Sequence, residues 1–219
     1  MMDRRTRIWQ RLVITLVASA AAASLGGCQS LLFTAAYMIK GNDAPAECNK
    51  LREKRVAVVC RPVVALQYRN ARVDQDLAQE VSALLRKNVP KIKVIDHRKV
   101  AEWMDEHSWE EYLDVGKALN ADMVVGIDLE QFDMHQSQTL YQGRGNVQIK
   151  VFDCHTGKNV FTKHPPQLTY PPNRVVQSSD VQESEFRAQF VRVLADQIAR
   201  HFYDHDPYDN FAMDAKSIE

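Results

Sequence analysis

The chain has 219 residues, 28 basic and 28 acidic side chains and a 45% hydrophobic content. That length builds one sizeable core, or one core with appendages. No cluster of Lys and Arg stands out after the first residues, which excludes nucleic acid as the main partner, because phosphate binding relies on clustered cations that release counterions.

Arg4, Arg5, Arg7 and Arg11 make a basic start, and Leu12 to Ser24 follow as an uncharged, apolar run too short to span a bilayer comfortably. Leu25-Gly26-Gly27-Cys28 come next. This order resembles the bacterial lipobox: a branched apolar residue, two small residues that slim the backbone for a signal peptidase, then the cysteine that receives diacylglycerol. The resemblance implies a signal segment over residues 1–27, cleavage between Gly27 and Cys28, and a lipid on Cys28 that holds the chain in an envelope membrane. Its removal takes four arginines and one aspartate away, so the remaining chain is net acidic. Gln29 stands where an aspartate retains familiar lipoproteins at the inner membrane, and this implies the outer membrane, facing the periplasm.

Residues 28–53 read as a lipidated tether, broken by Gly41-Asn42-Asp43-Ala44-Pro45. Cys48, Cys60 and Cys154 remain besides Cys28, and at most two of these three can pair within one chain. The domain proper is expected over 54–203. Val56-Ala57-Val58-Val59-Cys60 is a continuous apolar run of the kind found in a strand covered on both faces, with Cys60 a small buried hydrophobe. Leu77, Val81, Leu84 and Leu85 form a helical stripe within Asp74–Asn88, stopped by Pro90. Ile92–Ile95 is the next strand, and Val100, Trp103 and Met104 recur at helical spacing. Ser108 with Glu111 resembles a capping box, which predicts a helix from Trp109 to Leu119.

From Ala121 the period changes. Met123-Val124-Val125 is uniformly apolar, then Ile127 and Leu129 alternate with Asp128 and Glu130, so a strand begins deep in the sheet and runs towards solvent. Val147, Ile149 and Val151 alternate in a second strand, Asp153 to Gly157 supply a turn, and Asn159–Lys163 returns as a third. His164 to Ser179 holds two Pro-Pro pairs and is expected to be a long extended loop. Asp180 with Glu183 is expected to cap a last helix, whose stripe runs Phe186, Phe190, Val193, Leu194, Ile198 and Phe202, before a frayed tail over 204–219.

The fold class is therefore α+β: a single mixed sheet, parallel at its start and an antiparallel meander at its end, with helices packed on it. Lys54 to Val59, Gly116 to Gly126 and Val151-Phe152-Asp153 leading to Thr156-Gly157-Lys158 resemble the envelope domains of the curli-assembly lipoprotein, the lipoprotein activator of penicillin-binding proteins and the amino-terminal domain of TolB. The resemblance covers about residues 54–203 and implies a fold and a cellular setting without a catalytic residue.

Asp153-Cys154-His155 holds the ingredients of a cysteine nucleophile, yet adjacent residues rarely face one another and turn chemistry explains the same residues. His201 and His205, four apart at the end of the last helix, suggest two imidazoles for a surface metal or a helix end that favours cations. Trp103, Trp109 and Tyr112 read as core rather than as a ligand platform. No glycine-rich phosphate loop, Gly-x-Ser-x-Gly elbow or His-Glu-x-x-His occurs, and no cofactor or metal is implied. The expectation is a non-enzymatic interaction or assembly module with an envelope protein as partner and a homo-oligomer left open; a small-ligand or hydrolytic domain is the alternative. Tyr170, Arg174 and Val175, in the proline-rich loop, are the candidate partner-binding residues.

Overall fold

The computed structural model describes residues 43–62 and 72–207; the signal segment, Gly27, Cys28 and most of the tether and tail lie outside them. A compact unit begins at Ala44. It is built on one sheet in the order β2-β1-β3-β4-β5, with β1 (Arg55–Pro62), β2 (Lys93–Val94), β3 (Met123–Ser137), β4 (Leu140–Asp153) and β5 (Asn159–Lys163). Strand β1 runs parallel to both β2 and β3, and β3–β4–β5 is an antiparallel meander. The expected mixed sheet with a parallel start is thus present.

Both faces of β1 are buried, which is why its sequence does not alternate. Val56, Val58 and Cys60 face a core shared with α1 (Val73–Asn88) and α4 (Glu183–Ala199), while Ala57 and Val59 face a second core under α2 (His97–Glu106) and α3 (Tyr112–Ala118). Cys60 is one of these buried hydrophobes, and Cys48, Cys60 and Cys154 are all free thiols. The first core is the larger. It continues along β4 through Val147, Ile149 and Val151 and is closed by aromatic packing of α4, with Phe132 and Phe190 ring centroids 4.8 Å apart. Helix α1 buries Leu77, Val81 and Leu85 of the stripe its sequence shows, leaves Leu84 half-buried and adds Val73, and the Val89 N–H donates to the Leu85 carbonyl before Pro90 stops the helix.

Gly116 on α3 explains how close that helix lies. A methyl group there would stand 2.3 Å from Val124 Cγ2 and 2.6 Å from Cys154 Sγ, inside any real contact. Gly157, at φ +70°, turns the chain from β4 into β5.

Several expectations change in detail. The 164–179 segment is not a loop throughout: β6 (Leu168–Tyr170) pairs with Gly143 to Gly145 of β4, and β7 (Val176–Gln177) pairs with Leu140 and Tyr141. Pro165-Pro166 lies between β5 and β6 and Pro171-Pro172 between β6 and β7, so these three strands succeed one another along the outer side of β4, where a missing N–H is tolerated. Helix α3 starts three residues later than expected, because the carboxylate that reaches back is Asp114, accepting from the Glu111 N–H at 3.1 Å. Helix α4 has Gln182 as its N-cap residue, while the Asp180 carboxylate accepts from the Ser179 hydroxyl at 2.8 Å. Finally, residues 44–53 pack on the domain rather than leading to it, with Leu51 fully buried and Cys48 buried beside it.

Candidate functional site

The Asp153–Gly157 turn holds itself together. Asp153 Oδ1 accepts from the N–H groups of His155 (2.8 Å) and Thr156 (3.1 Å), and these donors hold its carboxyl below the usual range. His155 points away to Asp122, with Nε2 3.1 Å from Oδ1. The Cys154 thiol lies under Gly116, where burial pushes its pKa up. Acid, thiol and imidazole therefore point in three directions, and the thiolate that a nucleophile needs is disfavoured.

His201 and His205 do not share a helix face. The helix tightens into a single turn over Arg200–Phe202, Tyr203 is already extended, and His205 joins a two-residue bridge with Ala44. His201 Nδ1 lies 3.1 Å from Glu47 Oε1, and Lys163 Nζ donates to the same carboxylate at 2.8 Å. The Cys48 N–H donates to the His201 carbonyl and the Ala46 N–H to Asp204 Oδ1. These contacts form a clasp that fastens residues 44–48 along 201–205. Burial lowers the His201 pKa and outweighs the attraction of Glu47.

Of the three candidate partner residues, Tyr170 belongs to the core. It stacks on Phe190 and its hydroxyl lies 3.2 Å from Gln189 Oε1. Arg174 and Val175 stay at the surface beside β7, the Arg174 carbonyl accepting from Gln142 at 3.4 Å. Val175, at 39% exposure, is the exposed large hydrophobic residue among the described ones. Trp103 stacks on His107, and Tyr112 is buried in the second core, so the aromatic trio is largely structural.

A further polar surface was not singled out from the sequence. Helices α2 and α3 cover the second face of the sheet over β1 and the first half of β3, and Tyr112 of α3 also lies against Phe152 near the end of β4; α4 packs on β4 from the other side. The side of β4 facing away from α4 carries Gln142, Arg144, Asn146, Gln148 and Lys150 at alternate positions, all half-buried. Asp128 on β3 is its hub: Tyr112 donates at 2.7 Å, Lys150 at 2.9 Å and Arg61 at 3.0 Å. Burial pushes the Asp128 carboxyl up, but these three donors prevail and hold it below the usual range. Glu130 accepts from Asn146 at 2.9 Å and lies 3.1 Å from His164 Nε2, and Asp133 accepts from Gln131 and faces Arg144 across the ladder. The alternation of Asp128 and Glu130 with Ile127 and Leu129 was the signal for this face.

No family model and no curated protein matches the chain. Solved structures similar to it include the PelC dodecamer from Paraburkholderia phytofirmans, at 14% identity over 72% of this chain and 92% of that one, with a TM-score of 0.41. Lipoprotein GNA1162 from Neisseria meningitidis is similar at 12% identity over 66% and 97%, TM-score 0.41. The LpoB C-terminal domain from Salmonella enterica is similar at 11% over 61% and 90%, TM-score 0.34. A likeness at this level transfers neither a partner nor a residue's role.

Proposed function

We propose that the chain is a lipid-anchored, non-enzymatic interaction module of the bacterial cell envelope, held through Cys28 in the outer membrane and facing the periplasm. The lipobox-like Leu25 to Cys28 supports the anchor. The observation that carries the docking role is the edge formed by β6 and β7: Val175 exposes an apolar side chain there, beside Arg174, immediately before β7, which pairs with β4. Exposed apolar residues beside an arginine on a rigid support suit the centre of a protein interface. The partner in this reading is another envelope protein.

Site-specific photocrosslinking from position 175 of the full lipoprotein in living cells tests it. One reproducible envelope protein should be captured, and Arg174→Ala should weaken the capture. Absence of any reproducible crosslinked protein, with the lipoprotein present at normal level in the membrane, overturns the reading.

A further inference from the structure

The end of the domain at which β1 and β2 begin and α1 stops carries a surplus of positive charge. We infer that this end docks on the anionic phospholipid headgroups of the membrane that holds the tether, an inference that rests on the lipid anchor at Cys28.

No run of basic residues marks this end in the sequence; the fold assembles it from separate stretches. Arg55 of β1 stands beside Lys93 of β2 in the parallel register, the Lys93 N–H donates to the Lys54 carbonyl, and Arg86 and Lys87 lie in the last turn of α1, shortly before Lys91. All six residues are exposed. Lys91 pairs with Glu53 at 2.7 Å, but Lys54, Lys87 and Lys93 have no salt-bridge partner among the described residues. The other acids nearby are turned to backbone donors, Asp122 to the Arg55 N–H at 2.7 Å and Asp96 to the Arg98 N–H at 2.9 Å. Compensation of helix dipoles accounts for Arg86, Lys87 and, through its bond to the Leu119 carbonyl, Arg55. Lys54, Lys91 and Lys93 stand at the strand starts instead, outside that explanation. The opposite end is acidic: the first turns of α1 and α4 hold Asp74, Asp76, Glu183 and Glu185, and the Arg187–Asp76 pair at 2.8 Å joins the two helices there. A negatively charged surface therefore attracts one end of the domain and repels the other.

The place where the chain leaves the domain selects a membrane as that surface. Residues 44–53 cross the basic end from His205, beyond α4, to the start of β1, where the Glu53 N–H donates to the Pro90 carbonyl. Ala44 comes sixteen residues after Cys28, a stretch that reaches at most about 55 Å. A lipid on Cys28 would thus keep the basic end within reach of the headgroups at a high effective concentration. Residues 63–71 join Pro62 to Arg72, both at the far ends of β1 and α1, roughly 23 Å along those elements from the basic end.

Sedimentation of the unlipidated chain 28–219, carrying Cys28→Ser, with vesicles of one part phosphatidylglycerol to three parts phosphatidylethanolamine tests the inference. Binding is expected at low ionic strength, lost on raising the salt and absent on phosphatidylcholine vesicles. The triple variant Lys54→Gln/Lys87→Gln/Lys93→Gln should weaken it about tenfold or more with the circular dichroism unchanged. Arg144→Gln/Arg174→Gln/Arg192→Gln removes as many charges elsewhere and should leave the affinity within about twofold. Residues 208–219 are kept, so an end that they cover shows as absent binding. No binding to the anionic vesicles, full affinity in the folded first variant, an equal loss in the second, or tighter binding to duplex DNA at the same phosphate concentration overturns the inference. The lipid is read separately, by the mass of the mature amino terminus, so failure of either claim is seen apart from the other.

Discussion

His201 shows how one residue's surroundings set its protonation. Its Nδ1 approaches Glu47, so in the neutral ring the N–H sits there and Nε2 is a bare lone pair. Nε2 is buried and has no hydrogen-bond partner, so protonation would place an N–H against a wall that offers no acceptor. Around it stand Glu47 from the amino-terminal segment, which favours a charge on the ring, and Lys163 from β5 and His205 beyond the helix, which oppose one. A folded-state pKa below the unfolded value of about 6.5 means that the unfolded chain binds the proton more readily. The stability contributed by neutral His201 is complete above that value and is lost as pH falls through the folded pKa. Urea unfolding of the wild type should therefore show a midpoint that drops between pH 7 and pH 5, and His201→Gln should flatten that slope. An equal slope in both proteins would refute the assignment. The spacing of His201 and His205 was legible in the sequence, but their separation was not, since the helix tightens and ends between them through backbone geometry that spacing does not encode.

At the level of elements, the parts that the sequence revealed are those whose burial is regular. The unbroken apolar run of β1 and the stripe of α1 each follow from one face, or two, being covered. The parts it concealed depend on distant partners. Proline pairs rule out a central strand but not an edge strand, and only the unfilled outer side of β4 decides that β6 and β7 can pair there. Residues 44–53 carry no periodicity, yet Leu51 is fully buried and Ala44, Ala46, Glu47 and Cys48 are fastened to residues from β5 to His205. The clasp is therefore an element of the domain. A chain starting at Lys54 should be less stable than one starting at Ala44 by about 2–4 kcal/mol, from the lost burial of one leucine and the open backbone hydrogen bonds. Equal unfolding free energies for the two would show that the segment rests on the domain without supporting it.

For the whole molecule, the proposed docking edge gains its meaning from attachment, and the attachment rests on residues that no packing argument touches. Every core contact described lies at or after Ala44, whereas the lipobox-like residues end at Cys28. The proposed anchor and the described core thus lie on different stretches of chain and can be perturbed separately. A diacylglycerol on Cys28 would bring two acyl chains to the bilayer, and two chains hold a protein stably where one gives only marginal, reversible binding. The mature protein should accordingly begin at Cys28, carry the added mass of the lipid and resist extraction from membranes by salt. Replacing residues 1–27 with an ordinary cleaved leader, together with Cys28→Ser, should release it into the soluble periplasmic fraction with its unfolding midpoint unchanged. An unmodified chain still beginning at Met1, or a wild-type protein washed off membranes by salt, would remove the anchor and with it the reason to place the docking edge at a membrane.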